Sequence, residues 1–204
     1  MDMLFDTPRK KLERELRANG RLPSGQSLTE KWPLLHEGQA PKFDAAAWDL
    51  TVRGLVEAPL RLGWDEFKAL PRKRITADFH CVTTWSKFDN EWEGVPFSEI
   101  AARARPTPEA KFVMVHGENG YTTNVPLEDL MRGDVLLADW HAPEPLTVDH
   151  GAPVRLVVPH LYAWKSAKWL RGFEFMSADR PGFWEQVGYH MYGDPFREQR
   201  YRGQ

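Results

Sequence analysis

Apolar residues in this chain come in short runs, and over residues 48–56 and 74–82 they alternate with polar ones at every second position. That is the period of a strand with one buried face. "WDLTVRGLV" turns Leu50, Val52 and Trp48 inward and ends at Gly54. "RITADFHCV", "KFVMVHG", "VRLVVP" and "WLRGFEFMS" read as further strands, "DVLLADW" as another strand or buried run, and "YTTNVPLEDLM" as a strand running into a helical turn. Helical spacing is confined to brief stretches. Over residues 8 to 19, Pro8 suits a first turn, Leu12 and Leu16 share a face, and Gly20 stops the helix. "GWDEFKALP" predicts a short helix with Asp65 or its neighbour near the cap and Pro71 as stop, and another runs from about Pro96 to Ala104. "TTWSKFDNEWEG" reads as a loop, and the tail after Pro181 carries no pattern that assigns it regular structure. Strands and short helices follow no β-α-β rhythm, so the expected class is a mixed, strand-rich α+β fold. "RLPSGQSLTEKWPLLHEGQAPKF", broken by Pro and Gly every few residues, reads as an arm lying over the domain. The expected division is a helix and arm over residues 1–31 and a single domain over 32–204.

At 204 residues, 42% of them hydrophobic, the chain can bury a real core. A formal net charge of −2 gives no electrostatic reason to expect nucleic acid or an anionic membrane as partner. No run approaches the roughly 18 apolar residues of a membrane span. The start, "MDMLFDTPRKKLERELRANG", shows no apolar export region and no paired arginines. The expectation is a cytoplasmic protein whose thiol stays reduced.

That thiol is Cys81, the single cysteine, in "ADFHCVTTW". Burial as a small hydrophobe, nucleophilic chemistry and metal ligation all remain open for it. His80 cannot be its base, because neighbours on a strand face opposite ways. No C-x-x-C or H-x-x-x-H pair suggests a zinc site, but a soft metal taking one thiolate, with its other ligands supplied elsewhere, fits. Between Asp149 and Glu174 there is no acidic residue, while His150, Arg155, His160, Lys165, Lys168 and Arg171 stand there. Such a bias suits an anion, and "YAWKSAK" could form a turn whose amides wrap a phosphate. Neither a G-x-x-x-x-G-K-[ST] loop nor a G-x-G-x-x-G fingerprint is present.

Four blocks of the chain resemble the molybdopterin-dependent sulfite-oxidase-like family, in particular its small bacterial members made of the catalytic domain alone. "HCVTTW" resembles the loop whose thiolate binds molybdenum. "HGAPVRLVVPHLYAWKSAKWL" resembles the long pterin-binding block, "WPLLHEGQAP" the arm with a pterin-contacting histidine, and "FWEQVGYHMYG" the segment that brings a phenol to the metal. The resemblance implies a sulfite-oxidase-type fold and an oxidoreductase whose cofactor is molybdenum-molybdopterin, with oxygen-atom transfer as its chemistry. It makes Cys81 the metal ligand and Tyr189, five residues after Trp184, the active-site tyrosine. It makes His36, His116, His150 and Arg155 cofactor contacts, with Ser166, Ala167 and Lys168 wrapping the phosphate. It also implies a small-molecule substrate and a separate electron-transfer protein, since the chain has no haem-binding domain and no cysteine cluster for iron–sulfur.

The pattern departs from true sulfite oxidases at two arginine positions, occupied here by Leu34 and Ser86. Losing two guanidinium clamps argues against sulfite. Trp85 and Trp92 near the thiol point to a less polar mouth and a neutral sulfoxide or N-oxide. Methionine-sulfoxide reductase relatives share "GAPVRL" but are exported, which this chain is not expected to be. Two rival readings are a non-catalytic molybdopterin-binding or carrier module and a cysteine-dependent hydrolase.

Overall fold

The computed structural model describes residues 7–204. In chain order its elements are α1 (Pro8–Ala18), β1 (Ser27–Leu28), β2 (Asp49–Gly54), β3 (Leu60–Gly63), α2 (Trp64–Lys68), β4 (Lys73–His80), β5 (Trp85–Pro96) and α3 (Phe97–Ala104). There follow β6 (Phe112–Gly117), β7 (Thr122–Pro126), α4 (Leu127–Leu130), β8 (Leu136–His141), β9 (Glu144–Pro145), β10 (Arg155–Val157), β11 (Leu170–Met176) and α5 (Phe183–Gln186).

They form two sheets. In the first, β5 is the organising strand. It pairs antiparallel with β4 along most of its length, parallel with β1 at Trp85 and Ser86, and antiparallel with β8 from Trp92 to Pro96. β8 in turn carries β9 and β10. The second sheet runs β3-β2-β11-β6-β7, with β2 and β11 parallel and the other pairs antiparallel. Leu50 and Val52 of β2, Val113 and Val115 of β6, and Phe173 and Phe175 of β11 join Val95, Leu137 and Leu156 of the first sheet in one core. Phe97 and Ile100 on α3 complete it, the Phe97 ring meeting Phe173 edge-on at 5.1 Å. In β2 the alternation of the sequence is the alternation of buried faces, whereas β6 and β8 are short apolar runs buried on both. This is a mixed, strand-rich α+β fold.

Three local readings need correction. Leu12 does not anchor α1; it is 47% exposed, and the buried residue of that helix is Glu13. The Glu13 carboxylate accepts the backbone N–H of Leu28 at 2.8 Å and the Arg9 side chain at 3.2 Å, so a charge-assisted bond ties the helix to β1. The stretch read as a loop, "TTWSKFDNEWEG", is mostly strand β5. Its inward residues include Ser86 and Asn90, held by hydrogen bonds rather than by apolar contact, which hides the period from a hydropathy reading. The tail holds one helical turn, α5, and an isolated bridge between Tyr189 and Tyr201.

Segment 7–31 does more than lie over the domain. β1 extends the first sheet, and Gln26 is buried beside the β4–β5 turn.

Burial holds two histidines neutral: His80 and His141 are each lowered from 6.5 to about 4. Between these values the unfolded chain binds protons that the folded chain refuses, so stability falls as pH falls through that window. Thermal midpoints measured at neutral pH and at about pH 4.5 should differ, the acid value being lower. Equal midpoints would contradict the assignment of buried His80 and half-buried His141 as neutral.

Candidate active site

The β4–β5 connection builds the centre of the site. β4 ends at His80, and residues 81–84 make a turn in which the Thr84 N–H donates to the Cys81 carbonyl at 3.0 Å. The Cys81 N–H donates to the Trp85 carbonyl at 2.9 Å, starting β5. Thr84 is in the left-handed region, with φ of 72°. Cys81 is 7% exposed, and its sulfur lies 3.1 Å from the Thr83 hydroxyl. Burial pushes the thiol up, against the opposing pull of Thr83, Arg200 and Lys168. Ionising it calls for a strong local cation, which a coordinated metal supplies. Among the described residues no group of three or more His, Cys, Asp or Glu converges as a metal-binding set. A metal on Cys81 would then need ligands beyond a cluster of these side chains, as a cofactor carrying its own sulfurs would supply.

The thiol opens on a cavity of about 330 Å³. The arm supplies one wall through Trp32, Pro33, Leu35, His36 and Glu37. The turn before β11 supplies another through Ser166, Ala167, Lys168 and Trp169. Trp85, Tyr121, Trp164, Trp184 and Tyr189 give it a largely aromatic lining. Seven of the nine residues picked from the sequence meet here: Cys81, Tyr189, His36, Arg155, Ser166, Ala167 and Lys168. Tyr189 is held between Trp164 at 5.2 Å and Trp184 at 5.0 Å, and burial is the main reason its phenol is raised above the usual value.

Two cations border this space, and among the described residues neither forms an ion pair with a carboxylate, although Glu37 also lines the cavity and Asp149 acts on Lys168 from nearby. The Arg155 guanidinium is fully buried and gives its hydrogen bonds to the carbonyls of His150 and Ser166, both at 2.9 Å. Phe79 and Trp32 lie 5.0 and 5.6 Å from it as cation–π partners. Lys168 donates to the carbonyls of Leu35 at 2.9 Å and Asp149 at 2.5 Å. Burial, then repulsion from Arg155, lowers Lys168 to about 7, and burial lowers Arg155 to about 9. Buried charges are normally paired. A cavity bordered by two unpaired cations, with a thiol at one side and aromatic walls, fits a flat ring system carrying a phosphate and a thiophilic metal.

Binding a phosphate dianion next to Lys168 raises its pKa, so loading takes up protons above about pH 7 and weakens as pH rises. Lys168→Gln should cost about tenfold to a hundredfold in cofactor retention and flatten that pH dependence, measured by metal content after dialysis at a series of pH values. An unchanged pH profile would show that Lys168 does not face the anion.

The other sequence candidates stand elsewhere. His150 does not border the cavity; its ring stacks on Trp32 at 3.8 Å, behind the wall, and pairs with the Thr147 hydroxyl at 2.9 Å. His116, on β6, lies on the second sheet beside Glu174 at 3.5 Å and Arg53, away from the lining. Lys165 is no phosphate ligand: it is fully buried and bonds the Glu185 carboxylate at 2.6 Å. Trp92 is buried in a cluster with Phe79 and Leu136, leaving Trp85 as the indole that borders the thiol. Ser86 is buried against His80, and Leu34 is exposed on the arm. The sequence reading passed over Tyr121, whose hydroxyl donates to the Trp164 carbonyl at 2.6 Å, and Gln26; neither sits in a motif.

Comparison with known proteins decides the family. The model of the oxidoreductase molybdopterin-binding domain matches residues 37–184. The chain belongs to this family. Its cofactor is a molybdenum-molybdopterin, and the molybdopterin-binding protein is an enzyme of the sulfite-oxidase-like type. It is 50% identical over 184 residues to the uncharacterized oxidoreductase YuiH of Bacillus subtilis, covering 90% of this chain and 93% of that one. It is 29% identical over 171 residues to the protein-methionine-sulfoxide reductase catalytic subunit MsrP of Campylobacter jejuni, covering 76% of this chain and 57% of that one. The fold matches the sulfane dehydrogenase SoxCD of Paracoccus pantotrophus with a TM-score of 0.65 at 24% identity, over 87% of this chain and 50% of that one. The chain thus spans little more than half the length of the second protein and half of the third. Among the described residues no helix is long and apolar enough to cross a membrane.

Proposed function

We propose that this molybdopterin oxidoreductase removes oxygen from a small neutral sulfoxide or N-oxide, working in the cytoplasm with electrons from a separate redox protein. One observation carries the reading. The cavity around Cys81 and Tyr189 is walled by Trp85, Trp164 and Trp184, and the arginine that borders it is already committed to two backbone carbonyls. An anionic substrate would find no free guanidinium fork there, whereas a neutral dipole needs a hydrogen-bond donor and apolar walls. The name of the Campylobacter relative, a methionine-sulfoxide reductase, supports the same substrate class.

When bound, the cofactor supplies the two-electron redox change. The chain's own residues do the rest. Cys81 would hold the metal through its sulfur. Lys168 would hold the phosphate, with Arg155 behind it supplying positive charge rather than a hydrogen-bonding fork, and His36, whose ring meets Trp169 edge-on at 5.1 Å, would close the arm side. Tyr189 would donate its hydroxyl hydrogen to the substrate oxygen, since burial keeps the phenol protonated. The balance is sulfoxide plus two electrons and two protons giving sulfide and water. The aromatic walls exclude bulk water from the reacting bond.

The test is turnover with a reduced dye for dimethyl sulfoxide, methionine sulfoxide and trimethylamine N-oxide, set against sulfite oxidation with ferricyanide. kcat/KM should be higher for the neutral oxides. Faster sulfite oxidation would overturn the reading. Tyr189→Phe should lower kcat about a hundredfold or more while metal content stays at the wild-type level. Unchanged kcat would remove Tyr189 from the chemistry.

A further inference from the structure

We propose that Gln26 is a positioning residue for the metal-binding turn, its buried side-chain amide fixing the direction in which Cys81 presents sulfur to the cavity. The inference rests on the reading of Cys81 as the metal ligand, but its geometry stands on other residues.

Gln26 lies eleven positions ahead of the family match, which begins at residue 37. It comes from the arm, yet it is 1% exposed and reaches the turn 55 residues away in sequence. Its Nε2 donates to the Cys81 carbonyl at 3.0 Å, beside the Thr84 N–H on the same oxygen. Its Oε1 accepts from the Ser86 hydroxyl at 3.3 Å, and that hydroxyl also pairs with His80 Nδ1 at 2.8 Å. One amide therefore links the residue carrying the thiol to Ser86 at the start of β5 and, through that hydroxyl, to His80 at the end of β4. The backbone reinforces it: Ser27 N–H donates to the Thr84 carbonyl and Thr29 N–H to the Ser86 carbonyl, both at 2.9 Å.

Two physical points make this more than filling. Thr84 holds a left-handed conformation that a β-branched residue adopts only when its surroundings enforce it. Partners of this kind, one bond removed from a metal ligand, typically set ligand direction and affinity. The amide is also chemically specific. It donates at one end and accepts at the other, which an ionised carboxylate of the same shape cannot do. Ser86 stands where true sulfite oxidases resemble each other in having an arginine, and here it faces this amide instead of the cavity.

The test uses Gln26→Glu, with Ser86→Ala as a second variant should the first fail to fold. Three quantities are read on each: iodoacetamide modification of Cys81 in cofactor-free protein, molybdenum retained after gel filtration of loaded protein, and the thermal midpoint. Gln26→Glu should speed modification about tenfold by freeing the turn, and lower molybdenum retention about tenfold to a hundredfold. Ser86→Ala should move both in the same direction by less. A lower thermal midpoint with modification rate and molybdenum retention within about twofold of wild type would reduce Gln26 to a packing role and overturn the proposal. Full molybdenum retention in Cys81→Ser would instead remove Cys81 as ligand, leaving the modification result to stand or fall by itself.

Discussion

Cys81→Ser will fold and will turn over no substrate above background. The substitution replaces sulfur by a smaller oxygen at a site 7% exposed, where the Thr83 hydroxyl at 3.1 Å gives the new hydroxyl a partner. Its stability cost is therefore small, about 1 kcal/mol. Its chemical cost is not. A serine hydroxyl is a hard, essentially un-ionised ligand where a soft thiolate is needed, so the metal loses a bond and changes potential together. Activity should fall by about a thousandfold or more, while the circular dichroism spectrum and cooperative unfolding persist. Turnover within about tenfold of wild type would show that the sulfur is not in the reaction.

The largest stability effect belongs to Lys165→Met. Lys165 Nζ donates to Glu185 Oε1 and to the Met191 carbonyl at 2.6 Å each, to the Asn124 carbonyl at 2.8 Å, and to Asn124 Oδ1 at 3.0 Å. The same carboxylate oxygen accepts from Thr123 at 3.0 Å and from Trp164 Nε1 at 2.8 Å. Both charged side chains are fully buried. Methionine fills the space of the stem but leaves the buried Glu185 carboxylate without its counter-charge and takes a donor from two carbonyls, a loss of about 3–5 kcal/mol. For a chain of this length that lowers the thermal midpoint by about 10 °C. Adding Glu185→Gln removes the stranded charge and should restore part of the loss, read by urea unfolding of the two variants and wild type. A loss below about 1 kcal/mol in Lys165→Met would mean the pair carries little. Because Trp164 borders the cavity and Trp184 and Tyr189 flank Glu185 in sequence, the pair also holds the aromatic end of the site.

Most of the sheet framework was legible because β2 alternates between a buried and a watered face, while β6, β8 and β11 are short apolar runs buried largely on both faces. β5 was not, since its inward positions include Ser86 and Asn90, which are satisfied by hydrogen bonds. The cavity residues that were legible, Cys81 and the run 166–168, lie in contiguous motifs whose chemistry is local. Lys165 misled for the opposite reason: its partner Glu185 comes from a tail with no period, and only the fold brings them together. His116 and His150 were carried by position in a block, and the structure turns one toward Glu174 and stacks the other on Trp32. Gln26 was invisible because an isolated glutamine in an arm resembles any solvated one. The gap in each case lies between residues distant in sequence, where packing rather than pattern decides the neighbours.

The central claim is a bond from the Cys81 sulfur to molybdenum, and X-ray absorption at the molybdenum edge measures it directly. Protein from a molybdenum-competent host, loaded to about one metal per chain, should show one more sulfur ligand in the wild type than in Cys81→Ser. Equal sulfur counts in the two proteins would contradict the account.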